Sequence, residues 1–451
     1  MSRECHWRRA AITGLCLLLF PAVSSAAIQA AENLPPLLKS LPQALGKLSY
    51  YHPQKKEGRF SIARRNGISL RSLSLANPRG DQSGELLLPK LFFPPPGEPN
   101  SLLLNLAERM LYLYDEKGQP CAAYPAAIGR VGWETPTGSF KIHQKRKNPT
   151  WFPPSWAKLE KPVPPGPENP LGDRWMGLSV PGYGLHATNS PASVGRAASH
   201  GCIRLYPEHA HDIYSRVSKG TRVKIIYETI LLGYSPANHA IYLAVQPDIY
   251  RKGTNTPARA KAMLRQAGLD GFVDETELLH LLKSPRGVPI ALLGSEFSLQ
   301  VNGLSVATPL GPTMRGRDFL VPAAPLAAAL GAGLSVEPLS NSFRMQREKK
   351  WFAFSPNNAT AQGNGSILRL AAPPFQLVGC KTPAAAMPMV PVKAAGEALG
   401  ASVWVDRRNR VIHITDKDYF ARQQAFPNRL SYGQCHSPCD YPTINLIPFM
   451  Q

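Results

Sequence analysis

Short apolar runs separated by turn residues recur along most of this chain, a pattern typical of strands rather than of long helices. Residues 101–105 and 110–114 are apolar or alternate apolar with polar positions, and a polar turn at 115–118 leads into a third run at 121–127. Runs joined by such a short polar turn predict an antiparallel hairpin. The β-branched run at 221–227 predicts a further strand.

Helical patterns are shorter and fewer. Residues 207–217 begin with Pro207, a residue favoured in the first turn of a helix, and predict a short helix there. Residues 257–269 predict a second helix within the stretch 229–295. We expect this stretch to be an extension without chemistry of its own.

An internal repeat occupies the C-terminal half. Two dipeptides recur at an offset of 69 residues, Val321-Pro322 as Val390-Pro391 and Leu330-Gly331 as Leu399-Gly400. Each copy predicts a strand end, an amphipathic helix stopped by glycine, and then a strand. With Val301-Asn302-Gly303 at its start, the region 296–416 resembles the copper amine oxidase N-terminal-like domain. The resemblance implies an α+β spacing or adhesion module, and no histidine cluster suggests copper.

Residues 46–95 have the order strand, helix, a turn at Gly67-Ile68, a short helix ending before Pro78, and strand. They resemble a LysM module, which implies binding of N-acetylglucosamine-containing cell-wall glycans. The usual Gly-Asp-Thr-Leu first turn of that family is replaced by residues 56–59. A packing subdomain without a ligand is therefore the alternative.

The N-terminus has the features of a secretory signal peptide over residues 1–26. Arg3, Arg8 and Arg9 precede an apolar run at 10–23, and small residues follow. A membrane anchor is the alternative, but the run is short for a span and Pro21 interrupts it. We expect a secreted protein of the periplasm or cell wall, peripheral to the membrane at most.

Composition and charge narrow the class of partner. The chain has 451 residues, of which 43% are hydrophobic, with 45 prolines and 36 glycines, so several domains rich in short elements are expected. The formal net charge of +21 favours an anionic partner. The chain has no recognition helix, aromatic RNA platform or zinc-finger spacing, so an anionic cell envelope fits better than nucleic acid.

Cysteine usage suggests one free thiol. Two of the seven cysteines would leave with the signal peptide, and five remain. An odd number fits one free thiol, for which Cys202 is the candidate, with up to two disulfides. A small disulfide between Cys435 and Cys439 is expected, with metal binding through His436 as the alternative. The remaining residues of the tail 417–451 have no interpretation.

The candidate chemistry lies in the run Ser199-His200-Gly201-Cys202-Ile203-Arg204, with His186 upstream. A thiol is a poor nucleophile at neutral pH until a base or a positive field activates it, and either histidine could do so. Gly201 leaves room for a substrate carbonyl near backbone N–H groups. Arg204 offers a planar set of donors to a carboxylate. From residue types alone, a zinc site lacking a ligand or an inert buried thiol remains open.

The arrangement resembles the signature of the L,D-transpeptidase catalytic domain, an upstream His followed by Ser-His-Gly-Cys-x-Arg. The resemblance covers residues 99–228 and includes strings at 135–138, 148–151 and 169–172. It implies a β-sandwich-like catalytic domain acting on peptidoglycan stem peptides, without metal or cofactor. The expected fold is thus multidomain, β-rich mixed α/β, with a LysM-like module, this domain and the α+β repeat domain.

The resemblance also implies roles for individual residues. Cys202 would attack the stem carbonyl, and His186 would act as general base and acid. The N–H groups of Gly201 and Cys202 would stabilise the oxyanion. Ser199 and His200 would shape the pocket, and Arg204 would hold the loop or a stem carboxylate.

Two questions stay open at this stage. Where the family has Gly after the upstream His, this chain has Ala187, whose carbonyl can still orient the ring unless a positive φ is required. The reaction could end in a 3–3 cross-link, attachment of an acceptor protein, or hydrolysis as in an L,D-carboxypeptidase. A catalytically idle wall-binding protein is the alternative from another class. The family is acylated by carbapenems, which implies the same for Cys202.

Overall fold

The computed structural model describes Leu38 and residues 40–78, 84–157, 161–269, 272–337, 339–378 and 386–416. The predicted signal peptide, the tail and the predicted Cys435–Cys439 disulfide lie outside these residues. Within them, no helix has the length and apolar character needed to cross a membrane. The two described cysteines, Cys121 and Cys202, are both free thiols.

A two-stranded, two-helix module stands at the N-terminus, in the predicted order. It consists of β1 (Leu45–Tyr51), α1 (Arg59–Arg65), α2 (Leu70–Ala76) and β2 (Leu86–Phe92), with β1 and β2 antiparallel. Ser69 caps α2 by accepting a hydrogen bond from the Ser72 N–H. Ile62, Leu73 and Leu86 are buried between the helices and the hairpin. We call residues 45–92 the N-terminal module.

Nine strands and one helix follow. They are β3 (Leu102–Asn105), β4 (Met110–Tyr114), β5 (Pro120–Gly129), β6 (Gly138–Lys147), β7 (Arg174–Leu178), β8 (Gly184–His186), β9 (Ala197–Ser199), β10 (Ile203–Leu205), α3 (Pro207–Arg216) and β11 (Arg222–Ile226), with a 3₁₀ turn at Pro191–Ser193. The predicted hairpins, the strand near 221–227 and the helix near 207–217 are confirmed.

Two ten-residue strands join the two layers of this domain. One layer has the order β6-β11-β3-β4-β5, and the other has the order β6-β7-β8-β10-β5. β6 pairs with β11 through Gly138–Lys141 and with β7 through residues 142–147. Likewise β5 pairs with β4 through its first part and with β10 through Ala126 and Ala127. The predicted sandwich is therefore closed on both sides, and its apolar core lies between the layers.

The extension forms β12 (Ile230–Ser235), β13 (Ala240–Val245), α4 (Pro257–Gln266), α5 (Glu275–Lys283) and β14 (Ile290–Leu293). Its strands form one antiparallel sheet, β12-β13-β14. Leu231 and Tyr242 pack against Leu91 and Phe93 of the N-terminal part. The Tyr250 hydroxyl donates to the Gly129 carbonyl at 2.7 Å, so the extension also reaches the nine-stranded domain.

The C-terminal repeat is visible in the structure. Its elements are β15 (Ser298–Val301), β16 (Leu304–Val306), β17 (Thr313–Arg315), β18 (Asp318–Pro322), α6 (Ala323–Ala329), β19 (Gly333–Glu337), β20 (Ser342–Arg347), β21 (Lys350–Phe354), β22 (Thr360–Gly363), β23 (Ser366–Arg369), β24 (Phe375–Val378), β25 (Ala386–Pro391), α7 (Val392–Ala398), β26 (Ala401–Asp406) and β27 (Val411–Asp416). The repeated strands β18 and β25 pair antiparallel, with Val321 opposite Val390. Each leads into its helix as predicted.

Candidate active site

Parallel pairing of two short strands brings the candidate residues together. In β8 and β10, Ile203 lies opposite Leu185 and Arg204 lies opposite His186. Cys202 directly precedes β10, so its side chain belongs to the same end of the sheet. Two segments separated along the chain thus place the thiol, an imidazole and a guanidinium in one region.

The Cys202 thiol is protonated at rest. It donates to the Gly182 carbonyl at 3.3 Å rather than to His186. Burial raises the pKa of the Cys202 thiol, and the Gly184 backbone and Arg204 offset only part of that effect. The structure therefore holds a neutral thiol, and thiolate formation requires a base during reaction.

His186 is buried and held in one orientation. Its Nδ1 lies 2.5 Å from the Ala187 carbonyl oxygen, so Nδ1–H donates there and Nε2 is left without a proton. Burial and the nearby Arg204 lower the pKa of His186 to about 4, against the opposing effect of the Ala187 and Leu171 carbonyls. The imidazole is therefore neutral at pH 7, the form in which it can accept a proton.

The alanine after His186 is accommodated without strain. Ala187 does not have a positive φ, and its carbonyl orients His186 as expected. Its methyl lies where a Cβ on Gly172 would be only 2.6 Å away, and Gly172 has φ of +61°. The absence of a side chain at Gly172 thus makes room for Ala187.

Ser199 organises the turn before the thiol. Its hydroxyl donates to the Cys202 carbonyl at 2.5 Å and accepts the Gly201 N–H at 3.1 Å. The Gly201 N–H is therefore engaged in this structure, and its role as an oxyanion donor stays a prediction. The Cys202 N–H forms no such bond with any described residue and remains available. Gly201 has φ of +108°, and a Cβ there would approach the Tyr183 ring to 2.5 Å, so only glycine fits.

Thr135 is a site residue that the sequence pattern identified only as part of a turn. Its hydroxyl donates to the Gly201 carbonyl at 2.8 Å and accepts the Gly129 N–H at 2.9 Å. The side chain is buried. Thr135 thus ties the loop that carries the thiol to the end of β5.

His200 lies in a different environment from His186. Its ring stacks on Trp156 at 3.8 Å between centroids and meets Trp133 edge-on at 4.9 Å. Both tryptophans keep about two fifths of their surface exposed. Neither tryptophan stood out in the sequence, because nothing local connects positions 133, 156 and 200. These three residues are called the aromatic rim below.

Arg204 is half-buried beside the thiol. Among the described residues it forms no ion pair with a carboxylate, and its Nη1 donates to the Ser193 hydroxyl at 3.5 Å. Burial lowers the pKa of Arg204, though a guanidinium stays charged at neutral pH. Its donors are therefore free for an anionic group. In the described part of the chain, no cluster of three or more metal-ligating side chains is found.

Known proteins are similar to this chain in sequence. Residues 99–225 match the family model YkuD, the L,D-transpeptidase catalytic domain. The L,D-transpeptidase YcfS of Escherichia coli (strain K12) is 28% identical over 310 residues, which cover 63% of this chain and 96% of that protein. The L,D-transpeptidase YkuD of Bacillus subtilis (strain 168) is 32% identical over 168 residues, covering 37% of this chain and 91% of that protein. An NMR structure of the catalytic domain from E. faecium L,D-transpeptidase covers 29% of this chain and 98% of its own, at 23% identity and a TM-score of 0.23.

The chain therefore belongs to the L,D-transpeptidase family, and the protein is an enzyme of that class. The catalytic domain predicted from the motif is confirmed.

Proposed function

We propose that the enzyme transfers an acyl group from a peptidoglycan stem tetrapeptide, through Cys202, to an acceptor amine. The observation that carries this proposal is a neutral, oriented imidazole in the strand next to the thiol. The acceptor amine belongs to a second stem, which gives a 3–3 cross-link, or to an attached protein.

His186 acts as the general base and then as the general acid. Its Nε2 takes the Cys202 proton as sulfur attacks the carbonyl of the third stem residue. The C–N bond then breaks, and the proton leaves on the amine of the departing D-alanine. The resulting thioester is attacked by the acceptor amine, which frees the thiol. Because the resting thiol bonds to Gly182, it turns from that carbonyl toward His186 before attack.

The backbone and Arg204 handle the developing and permanent negative charges. The free Cys202 N–H is the donor best supported for the oxyanion. The Gly201 N–H becomes a second donor only if the Ser199 hydroxyl releases it. Loss of one such donor costs about 3–4 kcal/mol in other acyl-transfer enzymes. Arg204, without a protein carboxylate, holds a carboxylate of the stem peptide.

The flanking parts support a role for this chemistry in the cell envelope. The signal-like N-terminus supports secretion to the periplasm or cell wall. The strand-helix-helix-strand order of the N-terminal module supports a LysM-like role in binding glycan. The repeat domain at 296–416 serves as a spacer or adhesion module of the copper amine oxidase N-terminal-like type.

Mass spectrometry of products tests the proposal. Mature protein and Cys202→Ala are incubated with purified disaccharide-tetrapeptides. Dimers linked 3–3, made by the wild type alone, are the expected result. Tripeptide without dimer would instead indicate the hydrolase. Failure to turn over, together with no carbapenem adduct on Cys202, would refute the enzymatic role of Cys202.

A further inference from the structure

A second cluster of positive charge lies away from the thiol. A cleft of about 560 Å³ opens between α2 of the N-terminal module and the catalytic domain. Three arginines line it, Arg71 on α2, Arg109 in the turn between β3 and β4, and Arg196 directly before β9. No acidic residue is among the residues that line it. We call it the arginine cleft.

Arg109 is the distinctive member of the arginine cleft. It is only 6% exposed, and among the described residues its guanidinium forms neither a hydrogen bond nor an ion pair. Burial and the nearby Arg71 lower the pKa of Arg109 to about 10, so it remains a cation at neutral pH. Its nitrogen atoms are not among the fully buried, unpartnered atoms of the described residues, so they reach the cleft, where an anion would supply the charge-assisted partner that the protein does not.

The neighbouring carboxyl does not fill that role. Glu108 accepts hydrogen bonds from the Tyr112 hydroxyl at 2.6 Å and the Asn105 amide at 3.4 Å, and it forms no ion pair with Arg109. Burial raises the pKa of Glu108 to about 7. At neutral pH this carboxyl is therefore only partly ionised and compensates Arg109 incompletely.

The N-terminal module that forms one side of the arginine cleft is docked by direct contacts outside the cleft. Arg64 of α1 makes two hydrogen bonds of 2.7 Å to the Glu208 carboxylate, and Tyr206 donates to the Ile68 carbonyl at 3.3 Å. Gly195 permits close packing, because a Cβ there would lie 2.2 Å from the Ser69 Cβ. The module is thus docked independently of any ligand, and the cleft is preformed.

The arginine cleft also adjoins the strand that carries the active site. Arg196 and Ala197 begin the segment that continues through Ser199 to Cys202. Six residue steps separate Arg196 from Cys202, and an extended chain of that length spans at most about 22 Å, so the cleft lies within reach of the same polymer.

We propose that the arginine cleft binds an oxyanion of the cell-wall polymer, a peptide carboxylate or a phosphate group, while the acyl donor occupies Cys202. Three guanidinium groups without protein carboxylates suit either oxyanion. Only the source of the ligand rests on the proposed function; the site itself does not.

Titration calorimetry on the full chain carrying Cys202→Ala, which prevents turnover, tests the site. The probes are inorganic phosphate and purified disaccharide-tetrapeptide. Arg109→Gln is expected to weaken binding by at least about 10-fold, because it removes a charge-assisted contact. Arg407→Gln, an exposed position in the repeat domain, removes the same charge and is expected to leave affinity unchanged.

A double variant protects the test against misfolding. Arg71 and Arg196 are exposed, so Arg71→Gln with Arg196→Gln should keep the unfolding midpoint and still lose affinity about as strongly as Arg109→Gln. A loss on Arg109→Gln confined to the tetrapeptide would identify a peptide carboxylate, and a loss confined to phosphate would identify a phosphate group. Absence of binding by Cys202→Ala, or equal losses in the Arg407→Gln control, would overturn the site. Neither result depends on catalysis.

Discussion

His186 and His200 stand fourteen residues apart in one motif, yet the structure puts them in opposite settings. The floor of the site, formed by β8 and β10, buries His186 and fixes it through the Ala187 carbonyl. In the aromatic rim, His200 is partly exposed and is held by stacking on Trp156. An oriented, neutral imidazole beside a thiol can move protons, whereas a stacked one at the edge can only line the pocket. Environment therefore separates two residues that the motif presents as equals.

Replacing the floor imidazole should have the largest effect. We expect His186→Gln to lower kcat by about 10²–10⁴-fold, because a positioned general base contributes that much. The measurement is the rate of dimer formation. Cys202→Ala, the matched nucleophile variant, should abolish it. If kcat of His186→Gln stayed within a few-fold of the wild-type value, the distinction between floor and rim would be lost.

Acid should destabilise the floor. The pKa of His186 is about 4 in the folded protein and about 6.5 in the unfolded chain, so the unfolded chain binds more protons between these values. Stability is then complete above pH 6.5 and falls as pH drops towards 4, by up to about 3 kcal/mol. Urea unfolding of wild type and His186→Gln at pH 7 and pH 4.5 measures this. If wild type and His186→Gln lose the same unfolding free energy between pH 7 and pH 4.5, His186 does not contribute to the acid destabilisation.

Thr135 tests whether the floor depends on distant support. Thr135→Val keeps the shape but leaves the Gly129 N–H and Gly201 carbonyl without their partner. We expect a loss of about 1–3 kcal/mol in unfolding free energy and a lower kcat. Thr137→Val, also in the turn string but exposed, is the control and should change little. Equal stability of the two variants would contradict the bridging role.

The rim should give smaller and different effects. Trp156→Ala removes the stacking partner of His200 but leaves the floor intact. We expect KM to rise by less than about 10-fold with kcat nearly unchanged, the pattern of lost uniform binding. Steady-state kinetics on the disaccharide-tetrapeptide decide it. A kcat loss as large as that of His186→Gln would place the rim in the chemical step.

Restoring glycine after His186 should have the smallest effect on activity. Ala187→Gly keeps the carbonyl that orients the ring, so kcat should stay within about 2-fold. Stability should fall by about 1 kcal/mol, because glycine adds freedom to the unfolded chain and the buried methyl is lost. Rates and urea midpoints of the two enzymes check both parts. A large kcat change would show that the methyl, and not only the carbonyl, positions His186.

Much of the site could be predicted from the sequence, because many of its residues are neighbours along the chain. Ser199, Gly201, Cys202 and Arg204 are adjacent in sequence, so their chemistry appears in one motif. The repeat could also be predicted, because the Val-Pro pairs at Val321 and Val390 are followed by the same pattern of residues at the same spacing.

No pattern in the neighbouring sequence predicts the remaining contacts. Thr135 meets Gly201 across 66 positions, and Trp156 meets His200 from the segment between β6 and β7. The occupied Gly201 N–H follows from the rotamer of Ser199, which no spacing predicts. Arg109 resembled any other turn arginine until α2 packed beside it.

The sequence by itself determined the reactive groups, the order of strands and helices, and the family. Those properties depend on residue type and on the period of apolar positions, which are written along the chain. Only the tertiary structure decided which histidine is buried, which N–H is free and where three arginines converge. Burial, hydrogen-bond partners and charge neighbours arise when distant segments close into one sheet and dock a module against it, and each of them sets a pKa or a binding site.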